Sequence, residues 1–143
     1  MAEYGRILGV DVGGKRIGLA RTDLLKTFAS PIGTFSPSDS INEIQRQIKD
    51  EGPVLAIVVG WPLTPQGEPT DATQLTIDYI NLLKKKFGGT KIYTMDERFS
   101  SREAQKLMAK AGIPKKKRQE KGRVDQAAAA LILQQFLEAH PDI

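Results

Sequence analysis

The fold is indicated most clearly by residues 6–22, RILGVDVGGKRIGLART. Residues 6–12 form a short apolar run typical of a buried strand, and Gly13-Gly14-Lys15 after it is a turn signal. The next run, residues 16–22, is then expected to return as the second strand of a hairpin. This stretch predicts that the fold begins with paired strands, the first of which carries an acid, Asp11, within its apolar run.

The rest of the chain alternates between helix and strand patterns. An extended stretch at about 28–35 contains Pro31 and Gly33, which favour an edge strand. The patterns that follow are a helix between Ser38 and Gly52, a strand at 54–59, a loop at 60–71, a helix at about 71–87, a strand at 91–95, a short helix at about 101–111 and a last helix at about 124–138. In the helix at 71–87 the expected buried stripe is Leu75, Tyr79, Leu82, Leu83 and Phe87.

This order predicts an α/β fold. Three leading strands followed by alternating helices and strands imply a mixed five-stranded sheet flanked by helices on both faces, which is the layout of a ribonuclease-H-like domain. A length of 143 residues fits one such domain, spanning residues 1–143. No apolar run approaches the ~20 residues of a membrane span, and the polar start lacks a signal peptide. We therefore expect a cytoplasmic protein with no membrane partner.

Composition narrows the chemistry. The chain has no Cys, and its one His, His140, lies close to the end of the sequence. The absence of Cys excludes thiol catalysis, disulfides and Cys-based metal sites. The position of the single His argues against a His-based triad. Catalysis would have to use carboxylates, hydroxyls, lysines or arginines.

Positive charge is concentrated in one part of the chain. The net charge is +4, but residues 98–123 contain ten Lys or Arg and two acids, which leaves eleven basic and fifteen acidic residues elsewhere. Such a segment is the usual electrostatic footprint of a polyanion-binding protein. Gly and Pro border its most basic part, about 113–123, which we expect to be mobile and to close over substrate. The alternative is a solvated loop without a partner.

Three acids are candidates for a catalytic centre. Asp11 lies between Val10 and Val12, where an ionised carboxylate needs a partner, either a cation or the amides of the following turn. Glu97 follows a predicted strand at the edge where α/β sheets form sites, although alone it could be a surface acid paired with Arg98 or Arg102. Asp96 is a competitor, but adjacent strand residues point to opposite faces, so only one of the two can join Asp11.

The third acid, Asp125, begins the last helix. Asp125, Ala129, Ile132 and Phe136 share one helical face, and the small residues from Ala127 to Ala130 would allow close approach to the sheet. A stabilising charge at the helix N-terminus is the alternative role. Together the three carboxylates suit hard divalent cations, Mg²⁺ or Mn²⁺, and two such ions can promote phosphodiester hydrolysis.

Four blocks of the sequence resemble the signature blocks of the YqgF/RuvX family. They are GVDVGGKRIGLA at 9–20, GWPLTPQGEPTD at 60–71, DERFSS at 96–101 and KGRVDQAAAALILQQFL at 121–137. The family consists of bacterial proteins with a ribonuclease-H-like fold related to the RuvC resolvases. The resemblance implies a nuclease that processes the 5′ end of pre-16S rRNA, with an older assignment as a Holliday junction resolvase.

The resemblance also implies residue roles. The family's three acids fall on Asp11, Glu97 and Asp125, its basic pair on Lys15 and Arg16, and its D-E-R arginine on Arg98. Gly14 and Phe99 depart from the family, which often has Thr or Ser and Leu there. The expected nucleic-acid-binding residues are Lys15, Arg16, Arg98, Arg102, Lys115, Lys116, Lys117, Arg118, Lys121 and Arg123.

The expected function is hydrolysis of phosphodiester bonds in a pre-rRNA, with the small-subunit precursor as the partner and a monomer or weak homodimer as the active form. Three alternatives stay open. The protein could resolve Holliday junctions or other structured DNA, or it could bind RNA without cleaving it in ribosome assembly or transcription. The sequence around Asp11 also resembles the first phosphate loop of actin-like ATPases, which need two such domains.

Overall fold

A computed structural model describes residues 4–62, 66–96 and 121–140, with side chains from residue 126 onward in the last range. Its elements are β1 Arg6–Val12, β2 Ile17–Thr22, β3 Ala29–Phe35, α1 Pro37–Asp50, β4 Val54–Trp61, α2 Asp71–Lys86, β5 Lys91–Asp96 and α3 Lys121–Ala139. The short helix expected at 101–111 and the basic residues 113–120 lie outside the described residues.

The five strands form one mixed sheet in the order β3-β2-β1-β4-β5, as expected. The leading hairpin is antiparallel and pairs Gly9 with Ala20 and Asp11 with Gly18. β4 runs parallel to β1 and β5 runs parallel to β4. β1 is therefore the middle strand, and its carboxyl end lies at the same edge of the sheet as those of β4 and β5.

Helices cover both faces of the sheet, which confirms the predicted layers. On one face, α1 and α2 bury a cluster that includes Leu8, Val10, Ile44, Ile57 and Leu83. We call this the α1/α2 face. On the opposite face, the α3 face, the last helix buries a second cluster. Its members are Ile7, Ala20, Ala56, Val58, Ala129, Ala130, Ile132, Leu133 and Phe136.

The predicted stripe of α2 is partly wrong. Leu75 and Leu82 are 44% and 38% exposed, whereas Thr73, Thr76 and Ile80 are buried. The cause lies at the start of the helix, where the Thr73 hydroxyl accepts a hydrogen bond from the Thr70 amide and donates one to the Pro62 carbonyl. This tether turns the threonine side of the first turns inward, and both leucines consequently fall outside the buried face.

The last helix begins at Lys121, three residues before the predicted start. Among the helices that the structure describes, none is both long enough and apolar enough to cross a membrane.

Candidate functional site

Asp11 lies close to the carboxyl end of the middle strand. Val10 and Val12 on either side of it are buried on the α1/α2 face. Because side chains alternate along a strand, Asp11 belongs with Ile7 and Gly9 on the α3 face. Its side chain is half-buried, so the carboxylate stands where the apolar layer ends.

Gly9, two residues earlier on β1, allows α3 to contact the backbone of the sheet. A Cβ atom at Gly9 would lie 2.8 Å from the carbonyl oxygen of Ala129 and 3.0 Å from the Cβ of Leu133. Such separations are too short for a real side chain, so only glycine fits at this packing distance. The alanines from Ala127 to Ala130, each at most 5% exposed, complete the contact, and the predicted close approach is confirmed. The signal for Gly9 in the sequence was a glycine inside a strand run, which marks such approaches.

The direction of α3 follows from its contacts with β3. The amide of Ala29 donates to the side-chain oxygen of Gln134 at 3.2 Å. Four residues further along β3, Gly33 lies beside the side-chain oxygen of Gln126, which would be 3.9 Å from a Cβ there. The helix therefore runs opposite to β3, and also opposite to β1, because both strands are antiparallel to β2.

This direction brings the beginning of α3 to the edge of the sheet at which Asp11 lies. Position 125 precedes Ala129 by four helical residues, a rise of about 6 Å. Asp11 follows Gly9 by two strand residues, an advance of about 6.7 Å in the same direction. Because Gly9 and Ala129 are in contact, backbone positions 11 and 125 lie at the same height along β1, at the edge of the sheet where β1 ends.

A tight turn connects Asp11 to β2 at this edge. The amide of Gly13 donates to the carbonyl oxygen of Arg16 at 2.9 Å, and a Cβ at Gly13 would approach that oxygen to 2.7 Å. The turn therefore requires glycine at this position. Lys15 and Arg16 are exposed on it, so two of the predicted basic residues lie close in the chain to Asp11. Gly14 is also exposed and lies beside Leu75 of α2.

Asp96 ends β5 on the side of the sheet away from Asp11. Its register partner on β4 is Trp61, which packs against the cluster of the α1/α2 face. Tyr93 and Met95 pack on the α3 face, so alternation assigns Asp96 to the opposite face. Asp96 is therefore excluded as the partner of Asp11. Trp61 itself is half-buried in this packing.

A family model described as "RuvX: Holliday junction resolvase" matches residues 5–139. The chain belongs to the RuvX family. A relative from Chlorobaculum tepidum is 45% identical over 139 residues, covering 97% of each chain. Another from Salinibacter ruber is 40% identical over 137 residues, covering 96% of this chain and 95% of the relative. Both carry the name "Putative pre-16S rRNA nuclease".

The RuvX-family chain also resembles solved structures of Thermus thermophilus RuvC. One aligns with a TM-score of 0.53 at 12% identity, covering 96% of this chain and 97% of that one. A second, RuvC in complex with a Holliday junction substrate, aligns with a TM-score of 0.50 at 13% identity and covers 94% of each chain. At these identities the likeness shows the fold, and it confirms the predicted ribonuclease-H-like architecture.

Of the site residues predicted in this RuvX-family chain, the structure describes the side chains of Asp11, Lys15 and Arg16. It brings these three together at one edge. The other predicted side chains lie outside the described residues: Glu97, Arg98, Arg102, Lys115, Lys116, Lys117, Arg118, Lys121, Arg123 and Asp125. Within the described side chains no three His, Asp or Glu residues form a metal-binding group, and two of the three expected ligands lie beyond them.

Proposed function

We propose that this RuvX-family protein is a metal-dependent nuclease that hydrolyses phosphodiester bonds near the 5′ end of pre-16S rRNA. The observation that carries the proposal is the placement of Asp11 on the middle strand, level with backbone position 125 of a helix that contacts the sheet at Gly9. This placement supports a site to which two of the three expected acids come from distant parts of the chain.

The donor set fits a hard divalent cation. Asp11 offers a half-buried carboxylate in front of an apolar layer, an environment in which an ionised acid is stabilised by a cation. We infer that Glu97 and Asp125 complete the set, and that one or two Mg²⁺ or Mn²⁺ ions bind there. When bound, such ions activate water and stabilise the leaving oxygen of a phosphodiester.

The alternation of side chains along β5 distinguishes Asp96 from Glu97 as a partner of Asp11. Since Tyr93 and Met95 pack on the α3 face, a continued strand would assign position 97 to the same face as Asp11. This pattern supports Glu97, rather than Asp96, as the third ligand.

Basic residues would hold the nucleic-acid backbone at this site. Lys15 and Arg16 are exposed on the turn directly after β1 and can contact the phosphates that flank the cleaved bond. We assign the same task to Arg98 and Arg102 and to the basic residues between Lys115 and Arg123. Contacts of this kind position a substrate without reading its sequence.

The choice of RNA rests on the name that the relatives from Chlorobaculum tepidum and Salinibacter ruber carry. We further propose that the protein acts in the cytoplasm, where ribosomal precursors mature, and that its active form is a monomer or a weak homodimer. Structured DNA is the second candidate, because the family model is described as a Holliday junction resolvase. Cleavage of a pre-16S fragment and of a four-way DNA junction under the same conditions distinguishes the two.

The test compares two acids that lie on opposite faces of the sheet. We expect Asp11→Asn to lower cleavage of a pre-16S fragment in Mg²⁺ or Mn²⁺ by at least about 100-fold, since loss of a group that only supports a ligand already costs 10–100-fold. Asp125→Asn should behave in the same way. Binding of the RNA in EDTA and the thermal midpoint should stay close to those of the parent.

Asp96→Asn is the matched control, because it makes the same chemical change on the α1/α2 face. It should retain most of the cleavage activity. Full activity of Asp11→Asn, or an equal loss in Asp96→Asn, would refute the proposed site.

A further inference from the structure

Three large hydrophobic side chains are exposed at the end of the molecule opposite the proposed site. Leu25, Tyr4 and Phe28 are 70%, 60% and 58% exposed, more than any other large hydrophobic residue that the structure describes. Leu25 and Phe28 belong to the loop 23–28, which joins β2 to β3. Since β2 is antiparallel to β1, this loop lies beside the start of β1. We call the three side chains the apolar patch.

A backbone contact brings Tyr4 to this loop. The amide of Gly5 donates a hydrogen bond to the carbonyl oxygen of Leu24 at 3.0 Å. Tyr4 directly precedes Gly5, and Leu25 directly follows Leu24. The two exposed residues therefore come from separate segments of the chain to neighbouring positions.

The loop itself has a fixed conformation. The Asp23 carboxylate accepts hydrogen bonds from the amide and the hydroxyl of Thr27, both at 2.7 Å, and from the amide of Phe28 at 3.2 Å. Lys26 has a left-handed backbone with a φ of 57°, and its amide donates to the Asp23 carbonyl at 3.0 Å. A left-handed conformation is costly for a residue other than glycine, so the surrounding hydrogen bonds must hold it. Leu25 and Phe28 consequently keep a fixed position relative to each other.

A fixed apolar surface favours a partner. Single exposed hydrophobic residues are ordinary, but several at one place mark an interaction site. Because the loop 23–28 is held by its own hydrogen bonds, it cannot turn Leu25 and Phe28 away from water. A partner that covers these side chains would gain the free energy of removing them from water.

Charge favours a protein as this partner. The loop 23–28 contains one acid, Asp23, and one base, Lys26, so it has no net charge. Nucleic acids bind where Lys or Arg residues replace the counterions of the phosphates, and this loop has no such excess. An apolar surface requires an apolar complement, and a second copy of the chain provides one in the same patch.

We propose that the apolar patch joins two copies of this chain in a weak dimer with two-fold symmetry. In such a dimer the same surface of each copy meets its equivalent. The inference rests on the proposed function only in that it assigns an interface to the weak homodimer proposed there.

The area of the patch agrees with a weak dimer. A large side chain offers roughly 200 Å² of surface, so the exposed fractions of Tyr4, Leu25 and Phe28 amount to roughly 400 Å² in each copy. A stable interface buries about 800 Å² for each partner. The patch supplies about half of this area, and we therefore expect a dissociation constant above roughly 1 µM.

The dimer leaves both proposed sites uncovered. The guanidinium of Arg6 donates to the carbonyl of Thr22 at 2.9 Å, which places the start of β1 at the end of the sheet where the patch lies. Asp11 follows Arg6 by five strand residues, or about 17 Å. Cleavage per chain should therefore be the same in the monomer and in the dimer.

Sedimentation velocity over a concentration series that brackets the expected dissociation constant tests the proposal. The parent should pass from a monomer of 15.7 kDa to a dimer as the concentration rises. The variant L25S/F28S should dimerise at least about tenfold more weakly, because side chains at the centre of an interface carry most of its affinity. The control L75S/L82S replaces two exposed leucines of α2 and should dimerise as the parent does. Thermal midpoints show that both variants are folded.

Cross-linking supplies a second measurement. The chain has no Cys, so a single introduced thiol reports its own surroundings. With a short bismaleimide, Leu25→Cys should give a covalent dimer at concentrations at which the parent is dimeric. Leu75→Cys, at a residue on α2, should give much less. Equal yields from both variants would show random collision and contradict the interface.

Three outcomes would overturn the proposal. They are a parent that stays monomeric throughout the series, a dimer that L25S/F28S does not weaken, and a loss of RNA binding by L25S/F28S in EDTA at concentrations at which the parent is monomeric. The last result would assign the patch to RNA. A parent that dimerises through the patch but cleaves neither RNA nor DNA would refute the nuclease alone, whereas a monomeric parent that cleaves RNA would refute the dimer alone.

Discussion

The two faces of the sheet differ in how closely a helix approaches the strand that carries Asp11. The α1/α2 face is filled by large aliphatic side chains, among them Ile44, Ile57 and Leu83. On the α3 face, Gly9 meets the backbone of Ala129 within a run of alanines. Large side chains hold helices at a distance from a sheet, whereas small ones allow contact. Both faces bury apolar side chains, but only the α3 face fixes the position of a helix relative to Asp11.

The largest effect on stability is expected on the α1/α2 face. Leu83 is fully buried, and Leu83→Ala should lower the free energy of unfolding by about 2–5 kcal/mol, because it removes apolar contacts and leaves a cavity. Urea unfolding measures the loss. Cleavage per folded molecule should stay near the parental value, because this face carries none of the proposed ligands.

Leu82→Ala is the control for this change, since it truncates the adjacent leucine of the same helix. Leu82 is 38% exposed, so its loss should be well below that of Leu83→Ala. If Leu83→Ala abolished cleavage in molecules that remain folded, the claim that only the α3 face positions the site would be wrong.

A smaller loss of stability, but a larger loss of function, is expected on the α3 face. Gly9→Ala places a methyl group 2.8 Å from the Ala129 carbonyl oxygen, so the helix must move away from the strand. Overpacking of this kind costs about 1–3 kcal/mol. Cleavage should fall by more than the unfolded fraction explains, because a shift of about 1 Å can cost 100-fold in catalysis.

Gly89→Ala provides the matched control, because a Cβ at Gly89 meets no atom within 4 Å. It should leave both stability and cleavage close to those of the parent. Parental cleavage in folded Gly9→Ala would show that the contact of α3 with β1 does not position the site.

The contrast between the faces also explains what could be predicted from the sequence. The bounds of β1 and the position of the hairpin turn could be predicted because the apolar run and the glycines that follow it both indicate a strand that ends at the same place. The close approach of α3 followed from its alanines. In α2, by contrast, the inward side depended on the Thr73–Pro62 hydrogen bond between helix and preceding loop, which apolar spacing does not encode.

The site was predictable to a similar degree. An acid between two valines marked Asp11, because ionised acids are rarely placed in apolar runs without a partner. Alternation alone could not choose between Asp96 and Glu97, since that choice needs the register of β5. The pairing of Asp96 with Trp61 supplies this register and assigns Asp96 to the face opposite Asp11.

The smallest effect tests the polar contact that joins α1 to α2. The hydroxyls of Tyr79 and Ser40 lie 2.7 Å apart, and that of Ser40 also donates to the Pro37 carbonyl, so the Tyr79 hydroxyl is the donor of the pair. Tyr79→Phe removes this donor and leaves Ser40 with a partner. It should lower the free energy of unfolding at pH 8 by about 1 kcal/mol. Tyr4→Phe, at an exposed ring, should change it little.

This difference should shrink and then reverse in alkali. Burial raises the pKa of Tyr79 to about 12 from its ordinary value of 10.0. Because the folded state disfavours the phenolate, the contribution of Tyr79 to stability is fully present below pH 10 and is lost as the pH rises through 12. The Phe variant lacks this loss. Urea unfolding at pH 8 and pH 11 should therefore show the parent losing more stability than the variant, and a constant difference would mean that the Tyr79 hydroxyl is accessible to water.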